Sequence, residues 1–214
     1  MSTGRLHGKV AIVTGAFSQQ GARVVIADVA QGAGRAAASH IPRKVAMHSL
    51  ASDWEKLLAE TLRAFGRLDI VVNNAGAAYP NKPTEHVTEA EFDLVFTVNV
   101  KSVYVCTSVL LPGYFLKEKR RCCFIQVAST AAIRPRPRST WYNASKGAVV
   151  TATKLLAQEY GPHQIRFNAV SPVVGSTGMS STPADVANAC CYLASDEADF
   201  IIGVNLEVDG GRCV

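Results

Sequence analysis

Tyr142 and Lys146 stand four residues apart in the stretch Tyr142-Asn143-Ala144-Ser145-Lys146. On a helix that spacing puts both side chains on one face, with their polar ends in reach of a single site. Such a pair can make an acid. A free tyrosine has a pKa near 10, about three units too high for proton exchange at neutral pH, and each unit corresponds to about 1.4 kcal/mol. An ammonium about 4 to 5 Å away, at an effective dielectric near 20, supplies about 3 to 4 kcal/mol of that difference. The lysine is therefore of the right size for the task. By itself the spacing is equally what an ordinary amphipathic helix presents, so the elements around it must decide.

Those elements alternate. Lys9–Thr14 is a short β-branched apolar run ending in Thr14-Gly15, and Arg23–Ala27 is a second, ending at Asp28. Each reads as a buried strand. Further strands are expected at 44–48, 68–72, 124–128, 165–170 and 204–208. Helices are expected at 31–39, 53–65, 88–111, 140–160 and 184–193. Pro112-Gly113 is expected to stop the long one, with room for an extra turn to Lys119, and an Asp or Ser to cap the helix at 53. Apolar strands alternating with helices mean an α/β fold, a doubly wound parallel sheet with helices on both faces. With 214 residues and no linker or repeat, the whole chain, 1–214, reads as a single domain.

Composition narrows the function classes. Hydrophobic residues make up 48% and charged residues 18%, which suits a globular domain rather than a disordered one. No apolar run approaches the roughly 18 residues of a membrane span, and Met1–Lys9 lacks the apolar core of a secretory signal, so a cytoplasmic location is expected. The six cysteines form no CxxC and have no histidines at zinc spacing, so no metal is expected and core packing accounts for them. The net charge of +5 gathers in Lys117–Arg121 and in Arg134, Arg136 and Arg138. Neither group has interleaved aromatics or a recognition motif, which argues against nucleic acid. The arginine group could contact an anionic substrate or a cofactor phosphate.

In an open parallel sheet the ligand lies at the carboxyl ends of the strands, and small-residue turns follow them at that edge. Thr14-Gly15, Asn73-Asn74-Ala75-Gly76, Asn99, Ser129, Tyr142-x-x-x-Lys146 and Asn168-x-x-Ser171-Pro172, in this order, resemble the short-chain dehydrogenases/reductases over nearly the whole chain. The resemblance implies a Rossmann-like fold and an NAD(H)-dependent oxidoreductase interconverting an alcohol and a ketone. Tyr142 would pass the proton, Lys146 would lower its pKa and hold the nicotinamide ribose, Ser129 would bind the substrate oxygen, and Asn99 would complete the proton path in a helix bent around it. Gly15, Asn74, Ala75, Gly76, Pro172 and Thr177 would line the cofactor. Asp28 at the end of the second strand favours NAD over NADP, because a carboxylate accepts from ribose hydroxyls and repels a 2′-phosphate. A homodimer or homotetramer is implied as well.

The chain also departs from that pattern. Gln19 stands where the glycine-rich turn expects its middle glycine, and only Gly15–Ala22 separates the first two strands, short of the roughly 10 to 12 residues that a helical crossover needs. The first βα helix is expected to be missing. A substrate lid after Thr177 also has too few residues, and the strand-end contact to adenine after Leu50 is absent. Without the first helix, Val10, Ile12, Val24 or Ile26 should lose cover, at about 1.5 to 3 kcal/mol for each large side chain exposed. Two accounts stand side by side: an enzyme whose loops were cut by a faulty gene model or an alternative transcript, or a short member without catalysis that acts as a binding or assembly partner. The survival of every catalytic residue favours the first.

Overall fold

A computed structural model of the chain describes residues 4–14, 21–28, 43–46, 50–173 and 180–214, with backbone alone at Asp28 and residues 43–46. Its strands are β1 (Val10–Thr14), β2 (Arg23–Asp28), β3 (Arg43–Ala46), β4 (Ile70–Asn73), β5 (Cys122–Val127), β6 (Ile165–Pro172) and β7 (Asn205–Val208). They form one sheet in the order β3-β2-β1-β4-β5-β6-β7, with every neighbouring pair parallel. The chain runs outward from β1 to β3, then returns to place β4 on the other side of β1. That reversal puts a crevice at the carboxyl ends of β1 and β4, where open α/β sheets bind ligands.

The helices are α1 (Ala51–Phe65), α2 (Glu89–Phe96), α3 (Ser102–Leu110), α4 (Thr140–Tyr160) and α5 (Pro183–Ala194). Strands β1, β4, β5 and β6 are buried at every residue, as sheets covered on both faces require. The cover is unequal, however. On one face α1, α3 and α4 close over Ile12, Val25, Val71, Phe124 and Phe167 with Trp54, Leu57 and Leu110. On the other, among the described residues, α5 with its small Cys190, Cys191 and Ala194 packs with Leu6 against Val13, Val24, Ile26, Val72 and Ile125. The expected loss of cover does not occur: Val10, Ile12, Val24 and Ile26 are all buried. Ile12 belongs to the well-covered face, and Leu6 with α5 closes over Val24 and Ile26.

Of the segments expected to lack the first helix and the lid, 15–22 and 178–182, residues 15–20 and 178–179 lie outside the described residues, as do the expected helix at 31–39 and the turn after the third strand. The strands around the first gap are fixed. Val10 lies beside Arg23 and Thr14 beside Ala27.

Two expectations about helix ends are corrected. Helix α1 is capped by Asp53 at its third residue, whose carboxylate accepts from the amide of Leu50 at 3.2 Å, rather than by a side chain at the cap position. Pro112 does not stop the long helix. Residues Leu111–Phe115 continue it as a widened π turn, in which the Leu116 amide reaches Leu111 O at 2.9 Å. Pro112 falls at the start of that turn, and the donor it lacks is the one that would reach back to Ser108. With that continuation Glu89–Phe115 is 27 residues of helix containing an 18-residue window of mean hydropathy 1.7, long and apolar enough to cross a membrane by length and composition. The scan for unbroken apolar runs passes over it because Asn99, Lys101 and several hydroxyls interrupt it. Val95, Val103, Cys106 and Leu110 are buried inside the fold, in a helix packed against α1 and α4. Its apolar character thus serves the core.

Candidate active site

The crevice is fastened at its base by Thr14. Its Oγ1 accepts from the backbone amides of Asn74 at 2.9 Å and Ala75 at 3.0 Å, while Asn74 Nδ2 donates to Thr14 O at 3.1 Å. A threonine ending a buried strand thereby locks the turn that follows β4 across the point where the strand order reverses.

The next two residues of that turn approach the catalytic helix. A Cβ on Gly76 would lie 3.3 Å from Lys146 Nζ and 3.5 Å from Asn99 Oδ1, so a side chain there would push on both. Ala77 is held by Asn99, whose Oδ1 accepts from the Ala77 amide at 2.8 Å and whose Nδ2 donates to Ala77 O at 2.9 Å and to Ser145 Oγ at 2.9 Å. Asn99 sits in a second π turn, Thr97–Lys101, between α2 and α3. The widened turn takes the place of the bend expected there, and π turns of this kind recur at functional sites. With one acceptor and two donor bonds made, the Asn99 amide is largely committed to positioning.

Lys146 is 5% exposed and donates from Nζ to Val127 O, the last residue of β5, at 2.9 Å. Burial, which disfavours the charged form, lowers its pKa to about 8. Tyr142 lies one turn earlier on α4, half-buried, and its carbonyl accepts from Ser145 Oγ at 2.7 Å. Ser145 therefore joins the backbone of Tyr142 to the side chain of Asn99. Ser129 follows two residues after Val127, half-buried, and its Oγ accepts from the Ala131 amide at 3.1 Å, which leaves its own proton to donate. Pro172 is buried at the end of β6, two residues beyond Val170, the register partner of Val127. It ends at the same level as Ser129.

The structure thus gathers Asn74, Ala75, Gly76, Asn99 and Lys146 into one connected cluster, with Tyr142, Ser129 and Pro172 at the same edge of the sheet. Asp28 closes β2 beside Ala46, at that carboxyl edge too, though its side chain is not among the described atoms. Gly15 and Thr177 lie outside the described residues. Near the end of β7, Glu207, Asp209 and Cys213 bring one possible ligand atom each within 4.8 Å of one another. Both Asp209 oxygens, however, accept from the turn amides of Gly211 and Cys213 at 2.9 and 2.7 Å.

Several supports were not among the residues singled out by sequence. Ser145 lies inside the Tyr-x-x-x-Lys motif, three residues after Tyr142, and that spacing could have drawn attention to it. Thr14 belongs to the Thr14-Gly15 motif, which does not disclose its clamp, and the Val127 carbonyl has no signature in a sequence at all. Tyr79, whose hydroxyl accepts from the Trp141 amide at 3.0 Å, steadies the start of α4 from a loop with no recognisable pattern.

Comparison with known proteins adds a separate line of evidence. The family model described as enoyl-(acyl carrier protein) reductase matches residues 11–182 and 178–212. A 4-formylbenzenesulfonate dehydrogenase of Comamonas testosteroni is 41% identical over 186 residues, covering 75% of this chain and 73% of that protein. A meso-2,3-butanediol dehydrogenase of Serratia marcescens is 32% identical over 243 residues, covering 97% of this chain and 95% of that protein. An alignment of that length cannot be filled by 214 residues, so the butanediol dehydrogenase carries residues with no counterpart here. Among solved structures, a 3-ketoacyl-(acyl-carrier-protein) reductase from Brucella melitensis complexed with NADH matches with a TM-score of 0.89 and 38% identity, over 98% of this chain and 100% of that one.

Proposed function

Because this chain belongs to the short-chain dehydrogenase/reductase family of oxidoreductases, we propose that it interconverts an alcohol and a carbonyl compound with NAD(H), and that Tyr142 carries the proton. One observation carries this most directly. The Lys146 amine is buried between the Val127 carbonyl and Gly76, one helical turn from the Tyr142 side chain. A lysine buried at that cost and bonded through one of its protons has others left for a ligand or a neighbouring hydroxyl.

The chain's residues fit a nicotinamide cofactor at one end of the crevice. Gly76 keeps the approach to Lys146 open, and Thr14 and Asn99 hold the backbone of Asn74–Ala77 that would line it. When bound, the cofactor supplies or accepts the hydride. In the reducing direction the Tyr142 hydroxyl gives its proton to the substrate oxygen, with the Lys146 amine one helical turn away, and the Ser129 hydroxyl donates to the same oxygen and orients it. Asn99 keeps Ala77 and Ser145 in register and so acts as a positioning residue. The place of Asp28 at the end of β2 supports NAD over NADP. The compounds for which the relatives are named, an aromatic aldehyde sulfonate and a small diol, fit a small-molecule alcohol or carbonyl compound as the substrate class. Self-association as a homodimer or homotetramer belongs to the same proposal, with the exposed Leu94, Tyr104 and Leu155 of α2, α3 and α4 as apolar surface available for it.

The test is NADH consumption by the purified chain against a panel of aldehydes and ketones, with Tyr142→Phe as the control. Turnover that Tyr142→Phe abolishes supports the proposal, and turnover that survives the substitution removes Tyr142 from the mechanism. The eight-residue connection between β1 and β2 favours a second reading, a non-catalytic member that acts by association. NADH-independent co-migration with a full-length relative, together with no turnover, would select it.

A further inference from the structure

We infer that the substrate of this chain carries an anionic oxyacid group, a carboxylate or a like oxyanion, and that Arg138, with Arg136 beside it, recognises that group. The inference rests on the oxidoreductase reading above and names the class of molecule that the same site takes.

The observations lie in the connection from Ser129 to Tyr142, the two residues whose hydroxyls meet the substrate oxygen in that reading. It carries three arginines at alternate positions, Arg134, Arg136 and Arg138, separated by Pro135 and Pro137 and all exposed. Each proline fixes its own φ and restricts the residue before it. The backbone is pinned besides. The Arg134 amide donates to Thr130 O at 2.8 Å, Asn143 Nδ2 to Arg136 O at 2.8 Å, and the Lys82 amide to Arg138 O at 3.1 Å. On the other side of Arg138, Ser139 Oγ donates to Asn81 Oδ1 at 2.7 Å and the Trp141 amide to the Tyr79 hydroxyl at 3.0 Å. A connection stitched at these points presents its side chains from a fixed base, which lowers the ordering cost of holding a ligand.

Two further features separate Arg138 from an ordinary solvated arginine. Its φ is 70°, in the left-handed region where glycine is at ease and a residue with a Cβ is strained. Glycine would serve the backbone better, and strain of this kind gathers where ligands are clamped. The other non-glycine residues with positive φ among those described, Lys119 and Gln164, lie just before β5 and β6, at the opposite edge of the sheet. Secondly, the Arg136 and Arg138 guanidinium groups have no hydrogen bond or ion pair among the described residues, whereas Arg134 donates to Arg212 O at 2.7 Å and Lys82 is held by Glu91. Four residues of chain span at most about 14 Å, so the Arg138 side chain begins close enough to Tyr142 to meet the far end of a small molecule whose oxygen touches the tyrosine. A planar guanidinium suits a carboxylate there, because it can donate two parallel bonds to it.

The experiment uses two matched pairs of substrates on the intact 214-residue chain with NADH: benzaldehyde bearing a para-carboxylate against its methyl ester, and levulinate against methyl levulinate. Initial rates are measured, and binding of each compound without cofactor is followed by calorimetry. The expected result is a kcat/KM higher for the carboxylate of at least one pair by about tenfold or more, carried by KM rather than kcat. Arg138→Gly, which suits the left-handed backbone, should keep the melting temperature while removing most of that preference. Arg138→Lys should retain part of it, as a charge without the planar fork. Lys117→Ala, which removes an exposed cation on the approach to β5, should leave the preference intact. Equal kcat/KM within both pairs overturns the inference, as does a preference that Arg138→Gly leaves unchanged. Loss of NADH affinity in Arg138→Gly with the substrate preference untouched would assign the guanidinium to the cofactor and overturns it too. If no compound is reduced, the oxidoreductase proposal fails and calorimetry decides the inference. Tighter binding of the carboxylates that Arg138→Gly removes upholds the anion site, and equal or absent binding overturns it.

Discussion

Asn99 and Ala77 are joined by two hydrogen bonds that run in opposite senses, the Ala77 amide to Asn99 Oδ1 at 2.8 Å and Asn99 Nδ2 to the Ala77 carbonyl at 2.9 Å. A side-chain amide here imitates a strand partner and lets the turn after β4 end beside the helix without an unpaired backbone group. Asn99→Leu fills a similar volume and leaves both groups of Ala77 without that partner in a site that is 2% exposed. A loss of about 2 to 4 kcal/mol is expected from urea melts, together with weaker NADH protection. A variant as stable as the parent would show that water replaces the amide at no cost.

Thr14 gives a sharper pair of variants. Thr14→Val keeps shape but removes the acceptor of the Asn74 and Ala75 amides, whereas Thr14→Ser keeps it. The valine variant should lose about 1 to 3 kcal/mol and bind the dihydronicotinamide several-fold more weakly, and the serine variant should recover most of both. Equal behaviour of the two would dismiss the clamp.

Tyr142→Phe is expected to lower kcat by about 10²- to 10⁴-fold, the range for removal of a general acid. Its NADH protection in thermal unfolding should persist, since no hydrogen bond of the fold runs through the Tyr142 hydroxyl among the described residues. Loss of binding in parallel with turnover would assign Tyr142 to the cofactor rather than to the proton.

Lys146 makes stability depend on pH in a defined direction. Burial lowers its pKa from 10.5 to about 8, so between those values the unfolded chain binds more protons than the folded one. Stability from this group therefore rises with pH through that window, and its cost is full below about 8. Lys146→Met should raise stability near neutrality by up to about 3 kcal/mol, less the lost bond to Val127, and the gain should shrink near pH 10. A gain that is independent of pH would point to packing instead.

Gln126 offers a test away from the chemistry. It is wholly buried in β5, and among the described residues neither Nε2 nor Oε1 has a hydrogen-bond partner. Gln126→Met retains the volume without the unpaired groups and should raise stability by about 1 kcal/mol. A drop in the melting temperature would mean that the amide has work in the folded protein.

Much of the fold was legible in the residues. The β-branched runs gave the strands because a parallel sheet buried on both sides tolerates little else, and Tyr142 and Lys146 stand out because four residues on a helix turn them to one face, whereas Ser129 and Asn99 come only with the family resemblance. What escaped had no local cause. Leu50 leads α1 because Asp53 can reach back to its amide, and the helix runs on through Pro112 as a π turn. Val24 and Ile26 are buried by Leu6 and by α5, whose cysteines lie more than 160 residues along the chain. A pairing between such distant segments is written in no short stretch of either.

The two π turns, at Thr97–Lys101 and Leu111–Phe115, act as phase shifters. Each closes over one residue more than an α turn and so advances the helical phase by about 100°. The helix that carries Asn99 toward the crevice and Phe115 into the core can satisfy both only because its angular bookkeeping is reset twice along the way. Deleting one residue from the first turn would leave composition and hydropathy almost unchanged, yet it would swing every side chain before it against every side chain after it. The protein's timing, in that sense, is kept by turns that hold one residue too many.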